Sequence, residues 1–344
     1  MNTEYIVLSE CSEEAFDRAG KIIREGGLVA FPTETVYGLG GNAFDPMAAE
    51  NIFAAKGRPS DNPLIVHVSQ PSDAEEFAYT NDIYYRLADH FMPGPLTVIL
   101  PKKDIIPRSV TGGLDTVAVR CPSHPAARKL IEKAGVPIAA PSANVSGRPS
   151  PTNGRHVFAD MNGRIPMILD GGESAIGIES TVIRLEKDGC TILRPGEVIA
   201  RELSAVVGNV YVADAVKDPR AAGDNPESPG MKYRHYAPKA RLVLLKGDDK
   251  AFADYVNSYN GKCAVLSYTG NLGDYPHACV LDAGEKRSPV EQMHNLFARL
   301  RDCDEIDCEI IFAHLPPETD EYLAVYNRII RAAGNEVIDL DSNR

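Results

Sequence analysis

Apolar and polar positions follow one another along this chain in blocks that predict strands and helices. Short apolar runs at 28–31 and 64–68 are typical of buried strands, and each is bordered by polar loops. Between them, Asp45 and Pro46 are typical of a helix start, while Gly57 is typical of a helix end. This segment is therefore predicted to form a strand, a polar loop, a helix, a second polar loop and a strand.

The same blocks continue on either side of this segment. Further strands are predicted at 6–8, 96–100, 116–120, 136–140 and 167–170, with a hairpin of 180–185 and 191–193. Further helices are predicted to begin at Ser12, Ser72, Asp82 and His124 and to cover 201–207. Polar stretches lie at 149–163 and 213–239, and the second is predicted to be a structureless connector.

Beyond the connector, strand patterns and helix patterns alternate to the end of the chain. Such alternation is typical of a parallel sheet with crossover helices, so we predict a small Rossmann-like α/β domain in this half. The length of 344 residues also exceeds what one hydrophobic core usually supports. The predicted organisation is a first domain over 1–212, a linker over 213–240 and a C-terminal domain over 241–344.

Composition narrows the class of protein. Apolar residues make up 44% of the chain and charged residues 24%, which are ordinary values for a globular protein. No apolar run approaches the ~20 residues of a membrane helix, and the first residues lack the basic and apolar regions of a secretory signal. Seven cysteines without C-x-x-C spacing indicate reduced thiols, so we expect a cytoplasmic protein with neither a membrane nor a metal partner.

Charge limits the ligands that the chain could bind. The net charge is −12, and no broad basic stretch indicates sequence-independent nucleic-acid binding. Lys56, Arg58 and Arg194 are nevertheless suited to the phosphates of ATP, which carry about four negative charges and usually bring Mg²⁺. No G-x-x-x-x-G-K-[ST] motif occurs, which excludes a P-loop enzyme. Lys56 and Arg58 could also be an ordinary solvated helix end.

Another set of residues is suited to an amino acid. Arg120 ends a predicted buried strand and could hold a carboxylate, because an unpaired guanidinium would be costly to bury. Thr35, His67 and Ser180 offer neutral hydrogen bonds of the kind that a hydroxylated side chain and a carbamate require. His67 could equally be a satisfied core histidine.

Several blocks of the sequence resemble one enzyme family. Its paired motifs K-x-R and S-x-N are present as Lys56-Gly57-Arg58 and Ser142-Ala143-Asn144. Together with 27–69, 179–183 and 193–196, these motifs resemble the signature of the YrdC-like family of threonylcarbamoyl-AMP synthases. The connector sequence at 228–238 is similar to the longer, two-domain members. The resemblance implies a YrdC-like catalytic domain with a twisted mixed sheet, followed by the small Rossmann-like parallel α/β domain.

This resemblance also implies an activity, that of an L-threonylcarbamoyladenylate synthase. In such a nucleotidyltransferase, L-threonine and bicarbonate condense to an N-carboxy intermediate. The intermediate attacks the α-phosphorus of ATP, with Mg²⁺ accompanying the nucleotide, and pyrophosphate is released. The product would pass to a separate tRNA threonylcarbamoyl transferase that modifies ANN-decoding tRNAs, and this chain itself could contact tRNA weakly.

Carried over residue by residue, the resemblance implies two sets of binding residues. Threonine would be held by Thr35, His67, Arg120, Ser180 and the backbone of Ala140. ATP would be held by Arg58, Asn62, Thr116, Ser142, Asn144, Ser150 and Arg194, with Lys56 beside its phosphates. Lys56 and Arg58 are the expected catalytic residues. No other residue is an obvious nucleophile or base, so catalysis is expected to depend on positioning and charge stabilisation.

The connector carries one unusual cluster, in which two cations, a histidine and two aromatics occupy residues 232–236. A simple tether would need none of these side chains. Our hypothesis is that the cluster closes over the occupied site as a lid, with His235 and Tyr236 touching ATP and limiting hydrolysis of a labile intermediate. The alternative is a strap that docks one domain to the other.

Two other functional classes are compatible with parts of the sequence. Residues 38–43 fit the G-x-G-x-x-A pattern of a dinucleotide-dependent oxidoreductase, although no acidic residue follows at the ribose position. A non-catalytic RNA-binding or translation-associated module is the main alternative to the synthase. The net negative charge and the lack of interleaved basic and aromatic residues outside 232–236 weigh against it.

Overall fold

The structure is a computed structural model that describes residues 2–8, 13–57, 62–217 and 236–341. These residues form two compact units. Within the described ranges, the first unit holds 2–146 and 150–217, and the second holds Gly147–Pro149 and 236–341. The domain boundary was predicted from composition alone. This prediction did not include the grouping of Gly147–Pro149 with the C-terminal half.

The first unit is built on one large mixed sheet. Its strands are β1 (Glu4–Val7), β2 (Val29–Phe31), β3 (Gly38–Asn42), β4 (Ile65–His67), β5 (Leu96–Pro101), β6 (Thr116–Arg120), β7 (Ile138–Ala140), β8 (Met167–Asp170), β9 (Thr181–Glu186), β10 (Gly189–Arg194) and β11 (Asn209–Val212). Its helices are α1 (Glu13–Arg24), α2 (Pro46–Lys56), α3 (Asp82–Phe91), α4 (Pro125–Ala134), α5 (Gly154–Met161), α6 (Ala200–Val207) and α7 (Asp214–Lys217), with a 3₁₀ turn at Pro71–Glu76.

The second unit is a smaller α/β domain. Its strands are β12 (Arg241–Lys246), β13 (Cys263–Ser267), β14 (Cys279–Asp282), β15 (Ile310–His314) and β16 (Val337–Asp339). Its helices are α8 (Asp249–Asn257), α9 (Pro289–Asp302) and α10 (Leu323–Ala332), with 3₁₀ turns at Thr269–Asp274 and Cys303–Glu305. All four strand pairings are parallel, in the order β14-β13-β15-β12-β16, which confirms the predicted Rossmann-like domain.

The large sheet has the order β1-β8-β2-β3-β7-β4-β6-β5-β9-β10-β11 within the described residues. Parallel pairs such as β4–β6 lie beside antiparallel pairs such as β4–β7, so the sheet is mixed, as predicted. Helices α2, α3 and α6 contribute to the main core on one side of this sheet, where Ile52, Leu87 and Leu203 are fully buried. A separate core includes α1 and α4, with Ile23 and Leu130 packed together.

Local chemistry explains the segment that begins at β2. The side chain of Asp45 accepts a hydrogen bond from the backbone N–H of Met47 and caps α2, whose first residue is Pro46. Gly57 ends the helix at φ 65°, a left-handed conformation that favours glycine. The predicted helix start and end are both confirmed.

Strand β3 was not predicted, because its glycines remove the apolar signal of a strand. A Cβ atom at Gly40 would lie 2.6 Å from Ile138 and 2.8 Å from Phe31, so only glycine fits between these side chains. The G-x-G pattern therefore belongs to a strand rather than to a phosphate loop before a helix. The dinucleotide-binding interpretation is wrong for this reason.

Three other short elements were missed. Helix α5 lies in the polar stretch at 149–163 and is capped by Asn153, which accepts from the N–H of His156. Strand β11 follows the last predicted helix of the first domain, and α7 lies at the start of the stretch that was predicted to be structureless. The predicted helix cap at Ser12 lies outside the described residues. No helix among the described residues is long and apolar enough to cross a membrane.

Candidate active site

Three neighbouring strands place candidate residues on one face of the large sheet. His67 of β4 is the direct partner of Arg120 of β6, and Ile65 is the partner of both Ala118 and Ala140. Directly paired residues point to the same side of a sheet, and so do residues two apart in one strand. His67, Arg120 and Ala140 therefore share a face.

A small apolar floor occupies the same face. Its buried members are Ile65, Ile99, Ala118, Val182 and Leu193. They lie on five different strands of the sheet and form a cluster of their own, apart from the main core. The polar candidates border this floor, which gives a bound molecule an apolar surface flanked by hydrogen-bonding groups.

The two signature motifs meet at Lys56. Its side chain is 2% exposed, and its ammonium donates to the carbonyl oxygen of Ser142 and, at 2.8 Å, to that of Asn144. It also contacts the amide oxygen of Asn144 at 3.2 Å, and the Ser142 hydroxyl donates to the same oxygen at 2.5 Å. The interpretation of Lys56 as part of a solvated helix end is therefore wrong. The ammonium thus binds several acceptors of one loop, so Lys56 holds the loop after β7 in place.

His67 is a buried, neutral histidine. Its Nδ1 lies 3.1 Å from the carbonyl oxygen of Ile65 and 3.3 Å from that of Ile138, so this nitrogen carries the proton. Burial, followed by the positive charges of Arg120 and Arg194, lowers the pKa of His67 to about 3. Its Nε2 makes no hydrogen bond to any described residue and is left as an acceptor on the site face.

Arg120 is buried but paired. Its Nη2 donates to Glu34 Oε1 at 2.7 Å, and its Nε donates to the carbonyl oxygen of Gly94 at 3.4 Å. The backbone N–H of Ser123 donates to the other oxygen of Glu34. The argument from an unpaired guanidinium was wrong, because a carboxylate on the loop after β2 supplies the partner. The assignment of Arg120 to the threonine carboxylate stays a prediction.

The loop after β2 joins the two ends of the site. Glu34 contacts Arg120 at one end, and the carbonyl oxygen of Tyr37 accepts from the N–H of Ala143 at 2.8 Å at the other. Between them, Thr35 is fully buried and its hydroxyl lies 2.9 Å from that of Thr33. The loop is therefore held beside His67 and Arg120 and beside the Ser142 loop at the same time.

Ser180 and Arg194 form a third buried contact. The guanidinium of Arg194 donates to the carbonyl oxygen and the hydroxyl of Ser180, each at 3.1 Å. The hydroxyl of Ser180 also lies 2.8 Å from that of Thr97. Because the charge of Arg194 acts on His67, these groups belong to the same neighbourhood. Ser150 is far from Ser180 and Arg194 in the sequence. Its hydroxyl donates to Glu179 at 2.6 Å.

The remaining candidates lie at different places. Asn62, which is 1% exposed, precedes β4, and Thr116 begins β6, so both are at the opposite strand ends from His67 and Arg120. Tyr236 is buried in the second unit, where its ring stacks on Phe297 with centroids 4.9 Å apart. Arg58 and His235 lie outside the described residues, and their predicted roles are untested.

Sequence reasoning missed three polar partners in this site, namely Glu34, Thr97 and Glu179. Each contacts a predicted residue from a distant part of the chain, as Glu34 does across 86 positions to Arg120. The only local signal was a carboxylate in the exit loop of a buried strand. Such a group needs a cation or several donors when it is buried.

No group of three or more His, Cys, Asp or Glu residues in the described ranges could hold a metal ion.

Comparison with known proteins identifies the family. A family profile described as "Telomere recombination" matches residues 21–196, and one described as "Threonylcarbamoyl-AMP synthase, C-terminal domain" matches residues 198–334. The threonylcarbamoyl-AMP synthase of Pyrococcus abyssi is 45% identical over 325 residues, which cover 93% of this chain and 94% of the relative. The Bacillus subtilis protein of the same name is 43% identical, covering 93% of both chains.

A solved structure agrees with these sequence matches. The structure described as P. abyssi Sua5 complexed with L-threonine superposes with a TM-score of 0.89 at 42% identity, covering 98% of this chain and 99% of that chain. Both sequence profiles and the full-length relatives confirm the predicted family and enzyme class. The chain belongs to the threonylcarbamoyl-AMP synthase family, in its two-domain form.

Proposed function

We propose that this protein makes threonylcarbamoyl-AMP and pyrophosphate from L-threonine, bicarbonate and ATP. The observation that supports this most is the junction of Lys56 with Ser142 and Asn144, because it joins both signature motifs at the loop after β7, the strand that carries Ala140 on the face of His67 and Arg120. The full-length relatives named as synthases add support, as does the related structure that contains L-threonine.

The face is large enough for two substrates side by side. Thr116 and Arg120 are the first and last residues of β6, four steps apart. At ~3.3 Å per residue, this separation is about 13 Å. We propose that threonine lies at the Arg120 end and ATP at the Thr116 end, with the reacting groups over the apolar floor between them.

The chemistry joins the two substrates in two steps. The amine nitrogen of threonine bonds to the carbon of bicarbonate, and a water molecule leaves. An oxygen of the resulting carbamate then bonds to the α-phosphorus of ATP, while the bond from that phosphorus to pyrophosphate breaks. The protein contributes by orienting the two substrates and by stabilising negative charge on the phosphates.

Each end has groups suited to its substrate. The guanidinium of Arg120, which Glu34 holds in one orientation, has further N–H groups for the threonine carboxylate. The Nε2 of His67 is an acceptor for the threonine hydroxyl, and Thr35 and Ser180 line the same end. At the other end, the backbone and side chains of the Ser142 loop would bind the nucleotide, with Asn62 and Thr116 around it. Arg194 contacts Ser180 and Ser150 contacts Glu179, so these two would bind the part of ATP that lies nearest to threonine.

For Lys56 we propose a positioning role in place of the predicted catalytic one. Its ammonium already donates to Ser142 and Asn144, so we propose that it acts as a positioning residue for their loop and adds a fixed positive charge near the phosphates. Arg58 and His235 would be direct phosphate and nucleotide ligands by family resemblance alone. Tyr236 stacks on Phe297, and its contact with ATP stays a prediction.

Mg²⁺ is proposed as a partner of ATP rather than as a resident metal. The described residues offer no cluster of carboxylates or histidines that would hold the ion by themselves. A triphosphate can supply most of the oxygen ligands that Mg²⁺ prefers. We also propose that the product passes to a separate tRNA threonylcarbamoyl transferase, and that this chain contacts tRNA weakly if at all.

The proposed activity is tested by measuring pyrophosphate release from ATP in the presence of bicarbonate and one amino acid. We expect release with threonine and much less with serine or valine, because the site has partners for a hydroxyl and an apolar floor for a methyl group. Release should also require bicarbonate. Equal release with all three amino acids, or none with threonine, would contradict the proposal.

A further inference from the structure

The sheet of the second unit has a topological switch point. After β13 the chain continues to β14, the outer neighbour on one side, whereas after β15 it continues to β16, on the far side of β12. The two adjacent strands β13 and β15 thus send the chain in opposite directions and leave a crevice at their carboxyl ends. In open α/β sheets such crevices are the usual place for a ligand. Ser267 and His314 are the last residues of these two strands.

A cavity lies at this crevice. Its accessible volume is about 30 Å³, so only a small molecule would fit. Its walls are mostly apolar, with Leu266, Leu296 and Ile329 among them. Its polar lining includes Arg299 and His314. A ligand of this cavity would therefore be small, with an apolar body.

The ring of His314 has no hydrogen bond to a described residue although it is buried. Its ring is stacked between Phe252, at 3.6 Å between centroids, and Tyr268, at 4.6 Å. The residue is 7% exposed, and its Nε2 is buried without a partner among the described residues. Burial lowers the pKa of His314 to about 4, with small opposed effects from Asp249 and Lys286, so the ring is neutral near neutral pH. A neutral imidazole can place its one proton on Nε2 and donate from it.

Arg299, which also lines the cavity, has a second unsatisfied donor. Its Nη1 pairs with Asp302 at 3.2 Å, but its Nε is buried and has no partner among the described residues. An arginine Nε always carries a proton, so it can only donate. Leaving two such donors unpaired in an apolar cavity is unfavourable unless something with acceptor atoms occupies it.

We propose that this cavity binds a small aliphatic monocarboxylate, whose oxygens accept hydrogen bonds from Arg299 Nε and His314 Nε2 and whose body packs on the apolar walls. A carboxylate is an acceptor-only group with two oxygens, which matches two donors. Nearby Asp249 and Lys286 pair with each other at 2.6 Å and so add little net charge at the mouth. The site is separate from the proposed synthase site, and neither proposal depends on the other.

The test adds isobutyrate to the full-length protein and measures binding by ligand-observed NMR titration. We expect saturable binding in the millimolar range that threonine and ATP do not displace. Isobutanol, which lacks the carboxylate, and acetate, which lacks the branched body, should each bind about tenfold more weakly or worse. Absence of saturable binding by isobutyrate, or its displacement by threonine, would overturn the proposal.

Variants assign the binding to the cavity. Arg299→Leu and His314→Phe should each weaken isobutyrate binding about tenfold or more. The matched controls Arg287→Leu and His277→Phe change exposed residues of the same unit and should leave binding unchanged. If either cavity variant fails to fold, Ala283→Leu fills the cavity without removing a donor and should also abolish binding. Equal effects of the cavity variants and the controls would contradict the assignment.

Discussion

The two sheets of this protein gather polar side chains in different ways. In the parallel sheet of the second unit, every strand ends at the same edge, so the polar residues meet beyond the strands at one crevice. In the mixed sheet of the first unit, β4 and β6 end at one edge while the antiparallel β7 ends at the other. The candidate residues therefore meet across a face. A mixed sheet can hold two substrates along its strands, whereas a parallel sheet offers one pocket at its end.

The two places also differ in how their buried polar groups are satisfied. On the face, Arg120 pairs with Glu34 and Lys56 binds the carbonyl oxygens of the Ser142 loop. At the crevice, His314 Nε2 and Arg299 Nε have no partner among the described residues. The face is thus assembled in advance by contacts between distant parts of the chain. The crevice is completed only by what it binds.

The largest expected effect breaks the assembly of the face. Glu34→Gln leaves the guanidinium of Arg120, 3% exposed, without its counterion. Removing one partner of a buried ion pair typically costs ~3–5 kcal/mol, so we expect a loss of this size in the free energy of unfolding. Chemical denaturation read by hydrogen exchange of first-unit peptides measures it.

Glu4→Gln is the matched control for this prediction. Glu4 pairs with Arg18 at 2.7 Å, the same distance as in the buried pair, but both side chains are nearly half exposed. An exposed pair contributes at most about 1 kcal/mol. Similar losses in the two variants would show that the buried pair does not hold the face together.

A smaller effect is expected at the other end of the face. Lys56→Met keeps the length of the side chain but removes the donors for Ser142 and Asn144, so the loop after β7 loses its orientation. We expect kcat/KM for ATP to fall by about a hundredfold, with a larger KM for ATP and little change in KM for threonine. Steady-state pyrophosphate release with each substrate varied in turn measures this.

Lys21→Met on α1 provides the control, because Lys21 lies on an exposed surface away from the face. The split between the two KM values is the decisive readout. A uniform loss of activity with both KM values unchanged would mean that Lys56 only supports the fold.

The smallest expected effect compares the buried histidines of the two units. The pKa of His67 is lowered from 6.5 to about 3 and that of His314 to about 4, so each is neutral in the fold and takes up a proton on unfolding below about pH 6.5. Each histidine therefore makes its full contribution to the free energy of unfolding above this pH. The contribution is lost as the pH falls, by about 1.4 kcal/mol per pH unit for each histidine. His67→Gln and His314→Phe should each flatten this acid dependence in their own unit.

Hydrogen exchange between neutral pH and about pH 5.5 distinguishes the two units in this experiment. Each variant should reduce the acid-induced loss of protection only in the unit that it alters. An unchanged slope in both variants would mean that folding does not lower the pKa values of these histidines.

Much of the fold followed from local patterns. The cap of α2 by Asp45, the alternation of strands and helices after 240 and the strands that carry His67 and Arg120 were all predicted from neighbouring residues. These features depend on side-chain periodicity and turn chemistry within a few positions. The resemblance to the synthase family supplied the pairing of the two motifs, and the structure brings Lys56 to the Ser142 loop as that pairing requires.

What the sequence could not supply depends on distant contacts. Gly40 lies in β3 because Ile138 and Phe31 leave no room for a Cβ atom, and no local pattern shows this. Likewise, the partner of Arg120 is a glutamate 86 positions away. The cavity at His314 was also missed, because a histidine at the end of an apolar strand looks the same whether or not it has a partner.

The contact of Lys56 with the Ser142 loop also determines when the site can form during translation of this chain. The proposed nucleotide end of the site contains Asn62, Lys56, Ser142 and Asn144, and it is complete only after β7 has docked against β4. A nascent chain that has not yet emerged from the ribosome through about residue 146 therefore has no nucleotide pocket, since domains fold as units during translation. Copies that stop before this point would lack the pocket on which the proposed use of ATP depends.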